Sequence, residues 1–208
     1  SQEVLASTYL EPGSVDTIQN LLQDSLELRR KRGDEWGTAI TLYTLAVSYS
    51  VRGDIPRCLD LIQQSLELRA RLGDIRGMAI CQSLIARLMA HQGNKAMAQH
   101  MHAESARAFK EIGDIPSMTS ALLALGQIAR ERGDSDGADQ AFQAAYESAR
   151  AINYESGIAA SLHQLGKQAL HAGDRATARA RLDESLLLFR HLGNSSAAAD
   201  VEADLARL

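Results

Sequence analysis

Residues 25–39 read SLELRRKRGDEWGTA, and residues 65–79 read SLELRARLGDIRGMA. Nine of the fifteen positions agree, forty residues apart. A chain that repeats itself at a fixed spacing is repeating a structural unit.

Glycine carries the repeat further. Gly13, Gly33, Gly53, Gly73, Gly93, Gly113, Gly133, Gly173 and Gly193 fall on one twenty-residue grid. The remaining slot holds Asn153, and Asn is the residue next best suited to left-handed backbone. The residue that follows is usually a helix N-cap type: Ser14, Asp34, Asp54, Asp74, Asn94, Asp114, Asp134, Asp174, Asn194. A helix stops well on a Gly at positive φ. The next starts well on Asp, Asn or Ser, whose side chain accepts from the first orphan N–H groups. "Gly-Asp" is therefore a stop followed by a start. About eighteen residues lie between, enough for a helix of ~27 Å. Pro56 and Pro116 come two residues after an Asp, in a first turn that needs no N–H from them. Arg29, Arg30, Lys31, Arg32, Arg69 and Arg71 suit the negative pole of a helix end.

The apolar pattern agrees with helix. Trp36, Ala39, Ile40, Tyr43, Ala46 and Val47 recur at three and four, as do Ile55, Cys58, Leu59, Ile62 and Leu66. Each stripe needs neighbours to cover it, and stacked helix pairs supply them. The expected fold is all-α, a right-handed solenoid of antiparallel helix pairs with about five forty-residue repeats. Helices are expected near 1–12, 14–32, 35–52, 54–72, 75–92, 94–112, 115–132, 134–152, 155–172, 174–192 and 195–208, in one domain. Two helix types alternate. Type A carries Gly37, Gly77 and Gly157 with Ala39, Ala79 and Ala159 near its start, small residues expected to admit a neighbouring helix. Type B carries Ser25, Ser65, Ser105, Ala145 and Ser185 in its third turn.

Composition is that of an ordinary globular chain: 208 residues, 45% hydrophobic, 23% charged and 4% aromatic. A net charge of −4 gives no reason to expect a nucleic-acid partner. There is no apolar run long enough for a membrane span and no opening signal segment. Cys58 and Cys81 are too few for a disulfide framework and read as buried thiols in a reducing compartment, which suggests the cytoplasm. The chain begins at Ser1 and both ends fall inside expected helices, so it reads as a piece of a longer array. Uncapped ends would favour self-association.

The pattern resembles a lengthened tetratricopeptide repeat. Leu42, Leu45, Ala46, Tyr49, Gly53, Asp54, Cys58, Ile62 and Ser65 stand in the family's order. Leu122, Leu125, Gly126, Ala129, Gly133, Asp134, Ala138, Phe142 and Ala145 do so again, as do Leu162, Leu165, Gly166, Ala169, Gly173, Asp174, Ala178, Leu182 and Ser185. A looser set runs through Ile85, Ala86, Met89, Gly93, Asn94, Ala98, His102 and Ser105, and a partial one through Leu5, Ala6, Tyr9, Gly13 and Ile18. The joint motif is similar to those of sensor arrays in bacterial signal-transduction ATPases and maltose-activator-like LuxR-type regulators, and to kinesin light chains. The resemblance implies a non-catalytic sensor or adaptor module in a larger signalling protein. It would hold a protein or peptide segment, or a small effector, in a groove lined by the A helices, without a cofactor. A constitutive assembly scaffold, or the accessory part of an enzyme whose chemistry lies elsewhere, is the alternative.

Groove positions carried over from the family are Tyr43, Thr44, Val47 and Val51; Leu84, Arg87 and His91; Leu123, Gln127 and Arg130; and His163, Gln164, Lys167 and His171. They change from apolar to cationic along the chain, which suits a segment with an apolar end and an acidic end. The carboxylate-clamp subtype is missing, since Glu3, Ser7, Tyr43, Thr44 and Val47 occupy its places. Three Arg-Gly-Asp tripeptides, at 32–34, 52–54 and 132–134, read as helix end, left-handed glycine and N-cap. GDSDGAD at 133–139 lacks the ligand set of a calcium loop. His100 and His102 diverge on a helix, and Lys167 between His163 and His171 argues against a metal. No phosphate loop, HExxH or CxxC occurs, so no enzyme is expected.

Overall fold

A computed structural model describes residues 12–208, with side chains from residue 16. The described residues form ten helices and no strand: α1 (Pro12–Lys31), α2 (Glu35–Val51), α3 (Ile55–Leu72), α4 (Ile75–His91), α5 (Lys95–Glu111), α6 (Ile115–Glu131), α7 (Ser135–Ala151), α8 (Glu155–His171), α9 (Arg175–His191) and α10 (Ser195–Leu205). The expected helix at 1–12, with Leu5, Ala6 and Tyr9, lies outside them. One boundary is corrected. Gly13 and Ser14 are not a stop and a start but lie inside α1, which begins on Pro12. Proline's fixed φ and missing N–H suit a first helical position, so no break is needed there.

The other grid points behave as expected. Gly33, Gly53, Gly73, Gly93, Gly113, Gly133, Gly173 and Gly193 all have positive φ, and Asn153 is left-handed at φ 53°. The Asp or Asn that follows caps the next helix. Asp34 accepts from Gly37 N–H at 2.8 Å, Asp74 from Gly77 N–H at 2.8 Å and Asp134 from Gly137 N–H at 2.9 Å. The chain divides into two compact units, residues 1–88 and 89–208. In the first, Leu26, Leu42, Leu45, Ala46, Tyr49, Cys58, Ile62, Cys81, Leu84 and Leu88 form one core drawn from α1 to α4. In the second, Phe142 with Ala129, Ala138 and Leu165 makes one cluster, and Leu182 with Ala159, Phe189 and Val201 makes another. Glycine on the A helix receives the large B side chain there. A Cβ on Gly126 would lie 2.5 Å from the Phe142 ring, and one on Gly166 2.8 Å from Leu182.

The repeated fifteen-residue stretch proves to be a hydrogen-bonded joint. Ser65 Oγ donates to the Ala39 carbonyl at 2.7 Å, tying α3 to α2. Arg69 Nε donates to Ser65 Oγ at 3.1 Å, and Arg69 Nη1 meets Asp74 Oδ2 at 2.6 Å. Both charged side chains are over nine-tenths buried. The same Asp74 caps α4 through Gly77 N–H. Gly37 and Gly77 are therefore not there to admit a neighbouring helix. A Cβ on Gly77 would sit 1.6 Å from Arg69 Nη1 and 2.0 Å from Asp74 Oδ2. At Gly157 the space is taken by the Tyr154 ring, 2.4 Å from such a Cβ. Where phenylalanine replaces the arginine, at Phe109 and Phe189, larger residues return at Ser117 and Ala197.

The first joint repeats this chemistry in water: Arg29 and Asp34 meet at 3.1 Å with side chains 40% and 45% exposed. Gly77→Ala is expected to cost about 2–4 kcal/mol, because it disrupts a buried pair. Gly37→Ala is expected to stay within about 1 kcal/mol of the parent, since an exposed arginine swings aside and alanine favours helix. Urea denaturation of both variants, followed by circular dichroism, measures the contrast.

Candidate partner-binding faces

The first unit offers an apolar face on α2. The core side of α2 is made by Ala39, Leu42, Leu45, Ala46 and Tyr49. On the opposite side, Trp36 is 53%, Ile40 44% and Val51 56% exposed, with Tyr43 and Val47 half-buried and Thr44 exposed. Trp36 and Ile40, expected within a covered stripe, are thus turned outward. The reason lies in the helix itself. Its seventeen residues carry a single charge, Glu35, so no polar side fixes the phase of its apolar pattern.

On α4 the expected pair separates. Arg87 is exposed, but Leu84 is only 2% exposed and belongs to the core with Cys81 and Leu88. Those residues lie three before and four after it, so all three share the buried face. Burial pushes the Tyr43 phenol up, while the nearby Arg87 and Arg69 guanidinium groups pull the other way. The Arg69 guanidinium carbon stands 6.0 Å from the Tyr43 ring centroid.

The second unit brings together α6, α8 and α10. His91 and Gln127 are exposed and Leu123 is half-buried. Arg130 spans from α6 to α8, donating through Nη2 to Gln164 Oε1 at 2.9 Å, with its guanidinium 5.3 Å above the Phe142 ring. Burial draws the Arg130 guanidinium down, with Glu131 and Asp204 opposing. His163 is committed to Asp204, with Nε2 2.8 Å from Oδ2 in a nearly buried pair. His171 Nδ1 lies 2.6 Å from the carbonyl of Lys167, within its own helix. Lys167 and His171 line a small cleft of about 180 Å³ with Leu170, Asp204 and Arg207. Asp204 and Arg207 were not expected there. They stand forty residues beyond Gln164 and Lys167, so the repeat spacing points to them.

The remaining motifs resolve as helix chemistry. The three Arg-Gly-Asp sequences end one helix and cap the next, through Asp34, Asp54 and Asp134. Gly133–Gly137 also spells G-x-S-x-G, the pattern of a nucleophile elbow. Here it joins two helices instead of a strand and a helix, and Ser135 opens α7 with Gln168 beside it. Cys58 and Cys81 are free, buried thiols, and burial raises both pKa values. A raised pKa lowers the thiolate fraction at neutral pH. Native protein at pH 7.5 is therefore expected to label with a thiol reagent only as fast as it opens, while urea-unfolded protein reacts at both sites at once. Among the described residues, replacing His163 by Leu leaves Asp204 with exposed Arg207, at 2.9 Å, as its hydrogen-bonded side-chain partner. The loss is expected at about 1–3 kcal/mol, read as faster amide hydrogen exchange in α10.

No family model and no curated protein matches this chain. Solved structures do match in fold. BtubC (BKLC) from P. vanneervenii superposes with a TM-score of 0.72 at 15% identity, covering 93% of this chain and 90% of that one. The signal-transduction ATPase PH0952 from Pyrococcus horikoshii, which carries a tetratricopeptide repeat sensor, gives 0.73 at 16% identity, covering 89% of this chain and 30% of its own. A Rap protein complexed with competence and sporulation factor gives 0.70 at 16% identity, covering 91% and 57%. The fold is thus that of tetratricopeptide-like helical repeats. No described helix is long and apolar enough to cross a membrane.

Proposed function

We propose that this chain is a non-catalytic binding module of a larger cytoplasmic signalling or regulatory protein, and that it captures a partner segment on the outward faces of its A helices. The observation that carries this reading is the face of α2, which exposes Trp36, Ile40 and Val51 although its other side already fills the core. Large apolar side chains in a contiguous exposed strip mark interaction surfaces. The second unit has a separate small cleft of its own, where Lys167 and His171 stand beside Asp204 and its ion-pair partner Arg207. The partner is a protein or peptide segment that joins apolar residues to acids. Among the described residues, the side chains of Arg87 and Lys167 make no hydrogen bond or ion pair. The likeness to a Rap protein bound to a peptide factor, and to the sensor-bearing ATPase, supports a sensing role.

A display library of natural protein segments tests the reading. The parent is expected to enrich segments that combine an apolar stretch with Asp or Glu. Arg87→Glu, checked for unchanged helicity, is expected to lose them by about tenfold or more. Enrichment of one common set by parent and variant would overturn the proposed cationic contact.

A further inference from the structure

We propose that the outward face of α2 docks an amphipathic helix of a partner protein, laid along α2 with its acidic flank towards Arg87 of α4. This rests on the binding role above and specifies the shape and chemistry of the occupant.

The strip runs along a single helix. Trp36, Ile40, Val47 and Val51 are spaced four, seven and four apart, so they lie on one side of α2. They extend over about 22 Å at 1.5 Å per residue, nearly the whole helix. A partner helix meets such a strip with apolar residues at i, i+4, i+7 and i+11. The positions forty residues on, in the part of α4 that shares this unit, hold Arg76, Ile80 and Arg87. A segment crossing from α2 to α4 would leave apolar surface for arginine, while one lying along α2 stays on it.

The polar groups also favour a helix. An extended peptide must find partners for its own backbone N–H and C=O groups. Two of the hydroxyls on this side of α2 donate within the helix, Thr44 Oγ1 to the Ile40 carbonyl at 3.0 Å and Ser50 Oγ to the Val47 carbonyl at 2.8 Å, which leaves few donors for a partner's carbonyl groups. A helix brings its backbone already paired and asks only for apolar cover. The flanking charge then sets its orientation. α4 (Ile75–His91), the neighbouring A helix, contains no Asp or Glu, and its Arg87 is exposed. Asp or Glu on that flank of the partner completes the contact.

Trp36 is the only tryptophan in the chain and is its own reporter. The 208-residue protein is screened against two displayed libraries of sixteen-residue peptides, one helix-forming and one kept extended by prolines. The expected result is enrichment of helical clones with the i, i+4, i+7, i+11 apolar spacing and an acidic flank. As synthetic peptides they should shift Trp36 emission to the blue. Ile40→Glu and Val51→Glu, both at exposed positions, should weaken binding about tenfold or more. Arg87→Glu should weaken acidic-flanked clones while sparing neutral-flanked ones.

Several results would overturn the inference. One is enrichment of extended clones, or of clones that leave Trp36 emission unmoved. If such clones are lost in Lys167→Glu, the broader binding role survives and only the helix falls. If neither library yields a binder, both fall. A concentration-dependent blue shift of the protein alone, with doubled mass, would assign the face to a second copy. A red shift on removing residues 1–11 would assign it to the chain's own beginning.

Discussion

The structure depends on one recurrent constraint: every helix must end and the next begin within three residues. The left-handed residue turns the chain, and the Asp or Asn behind it satisfies an orphan N–H of the following helix. In the second joint that carboxylate serves twice. Asp74 caps α4 with Oδ1 and holds buried Arg69 with Oδ2, while Arg69 and Ser65 reach back to the Ala39 carbonyl of α2. The turn, the cap and the contact between helix pairs are thus one network. This is why the sequence repeats most faithfully at a joint and more loosely along helix surfaces.

The network also explains which changes the repeat tolerates. A glycine at the third helical position leaves room for a guanidinium and a carboxylate, as at Gly37 and Gly77. Where Ala149 removes the bulk, Tyr154 supplies a ring against Gly157 in its place. Interiors resist voids and overlaps alike, so residues five to eight apart in sequence change together. Such pairs are local, and they place no constraint on the outward faces of the A helices.

Much of this was legible in the residues. Eight glycines and Asn153 marked the turns because positive φ selects those residue types. Gly13 misled because the grid alone cannot distinguish a turn glycine from one placed just behind a helix-starting proline. The binding face was harder to place. Leu84 reads as a groove residue by repeat position but lies with Cys81 and Leu88 in the core, while Trp36 and Ile40 read as core and face outward. The α2 error has a clear cause: the helix carries one charge in seventeen residues, and periodicity fixes a helix's rotation only through contrast. Leu84 instead shares the buried face of α4 with Cys81 and Leu88, which a position carried over from a shorter repeat does not reveal. On α8, Lys167 and His171 line one small cleft with Leu170, Asp204 and Arg207.

That loss of contrast is itself informative. A helix at the surface of a repeat stack needs one apolar side for its neighbours, and polar residues cost nothing on the other. α2 spends tryptophan, isoleucine and valine there. Half-buried Val47 still packs against the core, but the exposed surface of Trp36, Ile40 and Val51 invites association. The second unit shows that the fold does not require it, since the corresponding side of α8 carries Ser156, Ala160, Lys167 and His171. The repeat geometry therefore accounts for the inner side of α2, and for Tyr43 and Val47 at its margin, but not for the exposed Trp36, Ile40 and Val51, which is why the proposed partner is placed on that side.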